Sequence, residues 1–296
     1  MDGIAERMIS LVERFAAPGG VAGQSYRERL PKPELQGLVS SVFVQEVARE
    51  AHPYEHRSVP NGSAEVSFLL GSRAPDVTGP HHEPDVAVLE PGSVLVGIRF
   101  RPGAAHAALG VPASELAGRR LELDRLWGRP ATALLGRLVD AGSPALAADL
   151  LEQVFLDGAA SAPEPDPIVA ELVDRLQPWR ARRVTDQASD LFLSPRQLRR
   201  RCLDAIGYGP KSLHRVLRFR GFLARIDLGE ESGDLARLAV RAGYADQAHL
   251  TRECVRLSGL TPRTFLAERE ASCTGSHDHS ASFSQLGRAL LAAGAG

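Results

Sequence analysis

Between residues 26 and about 103, apolar positions either alternate with polar ones or run as short β-branched stretches. VSSVFVQEV, AEVSFLLG, DVAVLEPG and SVLVGIRF are the clearest, and Gly, Pro, Asn and Asp divide them. Period-two runs of this length predict strands, and their spacing predicts an antiparallel sheet or small barrel. The period then lengthens. Residues 104–109, 114–116, 123–141 and 145–156 carry their apolar residues at helical spacing. Residues 157–167, DGAASAPEPDP, are small, polar and proline-rich, the composition of a linker. Helical periodicity dominates from 168 to 270. The pattern predicts an α+β N-terminal domain over 1–156, then an all-α domain over 168–270. At the chain ends, 4–15 predicts an amphipathic helix with Met8, Leu11, Val12 and Phe15 on one face, packed on the domain. Residues 271–296, rich in Ser, Ala, Gly and His, are expected to be disordered.

The helical half is written twice. Residues 194–213, SPRQLRRRCLDAIGYGPKSL, fall without a gap on 246–265, DQAHLTRECVRLSGLTPRTF, when the chain is shifted by 52. Leu198 meets Leu250, Arg200 meets Arg252, Cys202 meets Cys254, Gly207 meets Gly259 and Pro210 meets Pro262. A short helical segment precedes each copy, and the second turn is one residue longer. Two tandem helix-turn-helix units follow from this arrangement. In the first, Ser194 and Pro195 open a helix, and Leu198, Cys202 and Ala205/Ile206 form its buried stripe. At about 100° per residue, Arg196 and Arg200 point away from that stripe. Arg199 lies on one flank and Arg201 nearer the buried rim. In the second helix, Ala248 and Arg252 lie opposite Leu250/Cys254/Leu257, with Gln247 and His249 in the first turn. Between the copies, residues 211–227 predict one long helix that fixes the orientation of the units. Its packing stripe draws on Leu213, Val216/Leu217, Phe219 or the stem of Arg220, Leu223 and Ile226.

The two L-x-R-x-C-x(4)-G-x-x-P runs resemble the C-terminal DNA-binding domain of the AraC-type transcription regulators. Gly243-Tyr244-Ala245-Asp246 and the intervening LHRVLRFRGFLARI helix strengthen the resemblance, which covers about 168–268. Two features depart from the pattern. Cys202 and Cys254 stand where Phe is usual, which makes both cores smaller, and the second reading helix has fewer cations. Val59-Pro60-Asn61-Gly62, the run from Gly97 to Ala104 (GIRFRPGA) and Leu126-Trp127-Gly128 are similar to the sensor domain that precedes many such domains, over about 26–156. Asn61 replaces a common acid there. The resemblance implies a cytoplasmic transcription regulator, activator or repressor, that binds double-stranded DNA without a cofactor. It also implies modulation by a ligand, such as a small-molecule effector, or by a partner at the first domain, and RNA polymerase and a second copy of the chain are further partners it admits.

A net charge of −1 runs against DNA binding until it is divided. Residues 166–270 hold 19 Lys+Arg and 14 Asp+Glu, net +5; the rest hold 16 and 22, net −6. Such asymmetry is a signature of nucleic-acid interaction. Three cysteines, two at matched buried positions, form no disulfide framework and fit a reducing compartment. No apolar run approaches the ~20 residues of a membrane span, and 1–15 lacks a signal-peptide core.

Arg196, Arg199 and Arg200 are the expected DNA contacts of the first unit, able to reach guanine O6/N7 or phosphate. In the second, Gln247 suits adenine, Arg252 suits guanine or phosphate, and His249 occupies a reading position. Glu65, Arg99 and Arg101, on or beside strands, combine as an ion pair or as ligand contacts. His52, His56, His81 and His82 are expected in loops of the β-domain with Glu55 or Glu83 nearby, at no recognised metal spacing. They leave one other reading, a metal-dependent β-barrel enzyme with a DNA-targeting helical domain. The helical domain also admits a protein partner in place of DNA. No Walker loop, G-x-S-x-G or paired dinucleotide fingerprint occurs.

Overall fold

The computed structural model describes residues 23–159, 161–180, 184–227, 233–272 and 277–278. The helix expected at 4–15 and most of the 271–296 tail lie outside them.

The N-terminal domain comprises β1 (Gln24–Arg29), β2 (Val39–Val47), β3 (Tyr54–Ser58), β4 (Glu65–Leu69), β5 (Asp76–Thr78), β6 (Asp85–Leu89) and β7 (Val94–Phe100). There follow α1 (Ala105–Leu109), α2 (Ala113–Leu116), β8 (Arg120–Glu122), α3 (Asp124–Trp127), α4 (Arg129–Val139) and α5 (Pro144–Ala159). The strands predicted from alternation are all present. The helix expected over 123–141 breaks at Gly128, whose φ of 59° closes α3 before Pro130 opens α4. Helix α5 runs through Ala159, so the first residues of the expected linker are helical.

With β9 (His277–Asp278) at its edge, one sheet has the strand order β8-β5-β4-β7-β2-β1-β9, and β3 pairs with β6 in a second, two-stranded sheet. Pairing is antiparallel except where β9 (His277–Asp278) joins β1 in parallel. Those two residues were expected to be disordered; the open edge of β1 offers them backbone partners.

The two faces of the large sheet differ in chemistry. Val42, Val66, Phe68, Val96, Ile98 and Phe100 join Leu134, Leu138, Leu151 and Phe155 of α4 and α5 in one core. The opposite face is buried but polar, with Glu28, Ser41, Gln45 and Ser67 among its residues.

The helical domain has its own core. It comprises α6 (Pro167–Arg175), α7 (Gln187–Asp190), α8 (Pro195–Ile206), α9 (Pro210–Asp227), α10 (Leu235–Arg241), α11 (Gln247–Ser258) and α12 (Pro262–Ser272). Helix α9 is the shared beam. Its Leu213, Val216, Leu217, Phe219 and Phe222 are buried, and Leu223 and Ile226 pack partly buried against them. Gly221 lets Pro178 sit against the helix, where a Cβ would come within 2.4 Å of the proline ring.

The duplication extends to the turns. In the first unit the N–H groups of Phe192 and Leu193 donate to Ser189 and Ala188; in the second those of Gly243 and Tyr244 donate to Val240 and Ala239. Phe192 therefore stands where the other copy uses glycine, with φ of 55° against 81° at Gly243. Its side chain is 96% exposed and contributes little packing. A side chain in the left-handed region costs about 1–2 kcal/mol, partly offset because glycine loses more chain entropy on folding. Phe192→Gly is expected to stabilise the domain by about 0.5–1 kcal/mol, read as a higher denaturant midpoint at unchanged slope. Destabilisation would show that the ring packs on something.

Candidate nucleic-acid interface

Each reading helix is built by the same devices. Ser194 caps α8 in a full capping box: its Oγ accepts from the Gln197 N–H, and Gln197 Oε1 accepts from the Ser194 N–H at 2.8 Å. Asp246 caps α11 by accepting from the His249 N–H at 2.6 Å. Both helices close on left-handed glycines, Gly207 (φ 80°) and Gly259 (φ 77°), whose N–H groups each donate to the carbonyl four residues back at 2.9 Å. Leu198, Cys202, Ala205 and Ile206 are buried in α8, and Leu250, Cys254 and Leu257 in α11. Burial pushes the Cys202 thiol up to about 12, with Asp166 adding to the effect, and the Cys254 thiol up to about 11. Both behave as small hydrophobes.

The opposite faces are open. Arg196, Arg199, Arg200, Gln247, Ala248 and Arg252 are all exposed, and no ion pair among the described residues engages Arg196, Arg199, Arg200 or Arg252. Arg199 lies back toward Gly209 and keeps to the flank. Arg201 is committed elsewhere, donating at 2.6 Å to Asp166, the residue that caps α6. His249 also has structural work. Its ring meets Tyr244 edge-on at 5.3 Å, its Nδ1 accepts from the Ala245 N–H, and its Nε2 lies 3.5 Å from Arg218. Arg218 in turn stacks over Tyr244 at 4.6 Å. A second tie holds α11 to the beam, Arg215 to Glu253 at 2.7 Å. These contacts tie the second open face to the same helix α9 on which the first unit packs.

A second surface lies on the polar face of the large sheet. Register aligns Ser41, Arg99 and Glu65 in one row, and Glu28, Phe43, Gly97 and Ser67 in the next. Period-two alternation points these rows to one side. Arg99 bonds Glu28 at 2.9 Å and Glu65 at 3.4 Å, and lies 5.2 Å over the Phe43 ring. Phe43 in turn covers Gly97, where a Cβ would come within 2.2 Å of the ring. Burial works against the Arg99 charge, yet Tyr26, Glu65 and Glu28 raise its pKa above the usual value. Ser41 and Gln45 are fully buried on this face, and Ser41 Oγ and Gln45 Oε1 find no partner among the described residues. Burial lowers the pKa of His56 on β3, which feels Glu65 and Arg99. Arg220 of α9 looks onto the same cluster: burial, then Arg99 and Arg101, push its pKa down to about 10. Glu65 and Arg99 are therefore together, and Arg101 lies near. Tyr26, Glu28, Ser41 and Gln45 are members that sequence reasoning missed, because register rather than any local motif assembles them; His56, read only as a metal candidate, comes from β3 of the second sheet, and Arg220, read only as a buried stem, comes from α9.

No three His, Cys, Asp or Glu among the described residues converge on a metal-sized site. His81 instead hydrogen-bonds the Glu83 carbonyl and the Ser58 hydroxyl. No helix among the described residues is long and apolar enough to cross a membrane.

Comparison with known proteins finds a family match in each half of the chain. Residues 187–268 match the model of a helix-turn-helix domain, and 27–122 match a domain of unknown function (DUF6597). The HTH-type transcriptional regulator VirS of Mycobacterium tuberculosis, in two strains, is 32% identical over 169 residues, 55% of this chain and 48% of that protein. The chain thus spans about half the length of the curated relatives it matches. Among solved structures, an apo form of a ToxT point variant from Vibrio cholerae aligns over 81% of this chain and 99% of its own at 12% identity, TM-score 0.43. A further ToxT crystal form from Vibrio cholerae covers 77% and 97% at 12% identity, TM-score 0.40. Residues 187–268 are an AraC-type helix-turn-helix domain, carried behind an N-terminal antiparallel β-sheet domain.

Proposed function

We propose that the chain is a sequence-specific transcription regulator that binds duplex DNA through both reading helices. The observation that carries this reading is the pair of like-capped helices on one beam, each presenting exposed polar side chains whose cations no ion pair among the described residues engages. Arg196, Arg199 and Arg200 serve the first subsite, and Gln247 and Arg252 the second. His249 acts by holding Tyr244 and Arg218 in place and contacts DNA through its exposed edge. The chemistry is reversible binding, and the cytoplasm is the compartment proposed for it.

A small-molecule effector acts on the β-sheet domain at Glu65, Arg99 and Arg101. The Ser41 and Gln45 oxygens, without partners among the described residues, support a polar ligand there, because buried polar atoms without partners are costly. Arg220 is the route by which such a ligand would reach α9. Residues 1–156, 157–167 and 168–270 remain the proposed division into sensor, linker and DNA-binding domain.

Arg200→Ala tests the DNA assignment. If Arg200 reads a base, the substitution costs about 1–3 kcal/mol and relaxes preference at one position. If it grips phosphate, affinity falls almost equally on all sequences and the salt slope shrinks by about one. Unchanged affinity with intact fold would remove α8 from the DNA interface.

A further inference from the structure

The loop joining β5 to β6, residues 79–84 (GPHHEP), touches both helix-turn-helix units at the same point of the repeat. Pro80 lies against Gly207, its Cγ 3.4 Å from where a Cβ would stand; Pro84 lies against Gly259, its Cγ 3.6 Å from the corresponding point. These two glycines are the matched C-caps of α8 and α11. Between the prolines, the Tyr208 hydroxyl donates to the His81 carbonyl, and the His82 ring packs on Tyr208 at 4.6 Å. Tyr208 is fully buried. Beside Pro84, Arg57 of β3 bonds Glu268 of α12 at 2.7 Å and donates to the Ser258 carbonyl at the end of α11 at 3.3 Å. It also lies beside Gly259, 3.8 Å from the Cβ point.

The loop is itself held from behind. The Gly79 N–H donates to the Arg119 carbonyl at 2.9 Å, and the Pro80 carbonyl accepts from Gly118 at 2.8 Å. A Cβ at Gly79 would fall 1.9 Å from the Leu116 carbonyl oxygen, so only glycine allows this approach. Ser58 and the Glu83 carbonyl fix His81.

We infer that residues 79–84, with Arg57, form a bracket by which the β-sheet domain sets the distance between the two reading helices. Helix α9 joins the units along one side; the bracket joins their C-caps directly. It leaves the faces of Arg196, Arg200 and Arg252 uncovered, so it acts on geometry rather than by occlusion. Any change in the β-sheet domain that moves β5, β6 or β3 is passed to both helices at once. The consequence for DNA rests on the function proposed above; the geometry does not.

The test therefore reads distance without DNA. Spin labels are placed on the 296-residue chain at exposed Asp204→Cys and Arg256→Cys, with Cys273→Ser. Cys202 and Cys254 stay unlabelled, being buried with raised thiol pKa. Pulsed electron resonance is expected to give one narrow interhelix distance. Arg57→Glu sets two acids against each other at Glu268 and is expected to broaden the peak, while adding Glu268→Arg restores the pair and the narrow peak. Recovery in the double exchange excludes simple unfolding as the cause. A distance that stays narrow in Arg57→Glu, or is broad in the unaltered chain, would overturn the bracket. Should the chain fail to bind DNA in every form, the distance result would stand and the functional proposal alone would fall.

Discussion

Inserting half a turn of duplex, about 5 bp, between the two subsites is expected to reduce affinity to that of a single unit. Two reading helices meet one face of DNA only when their subsites lie about one turn apart, ~10–10.5 bp. Half a turn rotates one subsite to the far side. A full-turn insertion restores the face but adds ~34 Å of separation. Helix α9 has 18 residues, about 27 Å of helix at 1.5 Å per residue, and it is packed along its length by residues of both units. It cannot stretch to follow. Neither insertion is therefore expected to bind like the native spacing, whereas flexibly tethered modules, or a dimer using one unit per subunit, would recover at a full turn. Titrating one labelled duplex series separates these cases.

Phe219→Ala is expected to be the most damaging single truncation in the helical domain. Phe219 is fully buried at the middle of α9, 5.9 Å from the Phe222 ring and 6.0 Å from Phe265 of α12. Removing it deletes the apolar contact to Phe265, one of several that join the beam to the second unit. Truncations of this kind cost about 3–5 kcal/mol, a large share of the ~5–15 kcal/mol that holds a typical domain. In a domain of about a hundred residues each kcal/mol moves Tm by ~4–8 °C, so the helical domain should melt at least ~12 °C lower. Calorimetry of the 296-residue chain reads this directly. A shift of a degree or two would mean that neighbouring side chains collapse into the space and that Phe219 is not central.

The helical half was legible because its signals are local. Ser194 and Asp246 announce caps, Gly207 and Gly259 announce stops, and the 52-residue repeat confirms each by the other. The long strands were equally plain. The short ones were not: β3 reads YEHRS and β8 reads RLE, with too little apolar alternation to stand out. What sequence could not show is what chain topology brings together. Arg57 and Glu268 lie 211 residues apart, and Tyr208 and His81 lie 127 apart. Neither pair leaves a pattern on a single strand or helix. The histidines at 81 and 82 illustrate the limit. As residue types they suggested a metal; in place, one is fixed by backbone and a serine, and the other lies against a tyrosine of the neighbouring domain. Arg220 is similar. Its position on α9 suggested a buried stem, and only the fold brings its charge beside Arg99.

The central claim is that one chain reads two unlike subsites with two unlike helices. Selecting bound sequences from random duplexes with the 296-residue chain tests it most directly. The expected product is an asymmetric site whose two conserved segments differ in sequence and are centred ~10–10.5 bp apart. An enriched palindrome of one segment, or no enrichment over the starting pool, would contradict it.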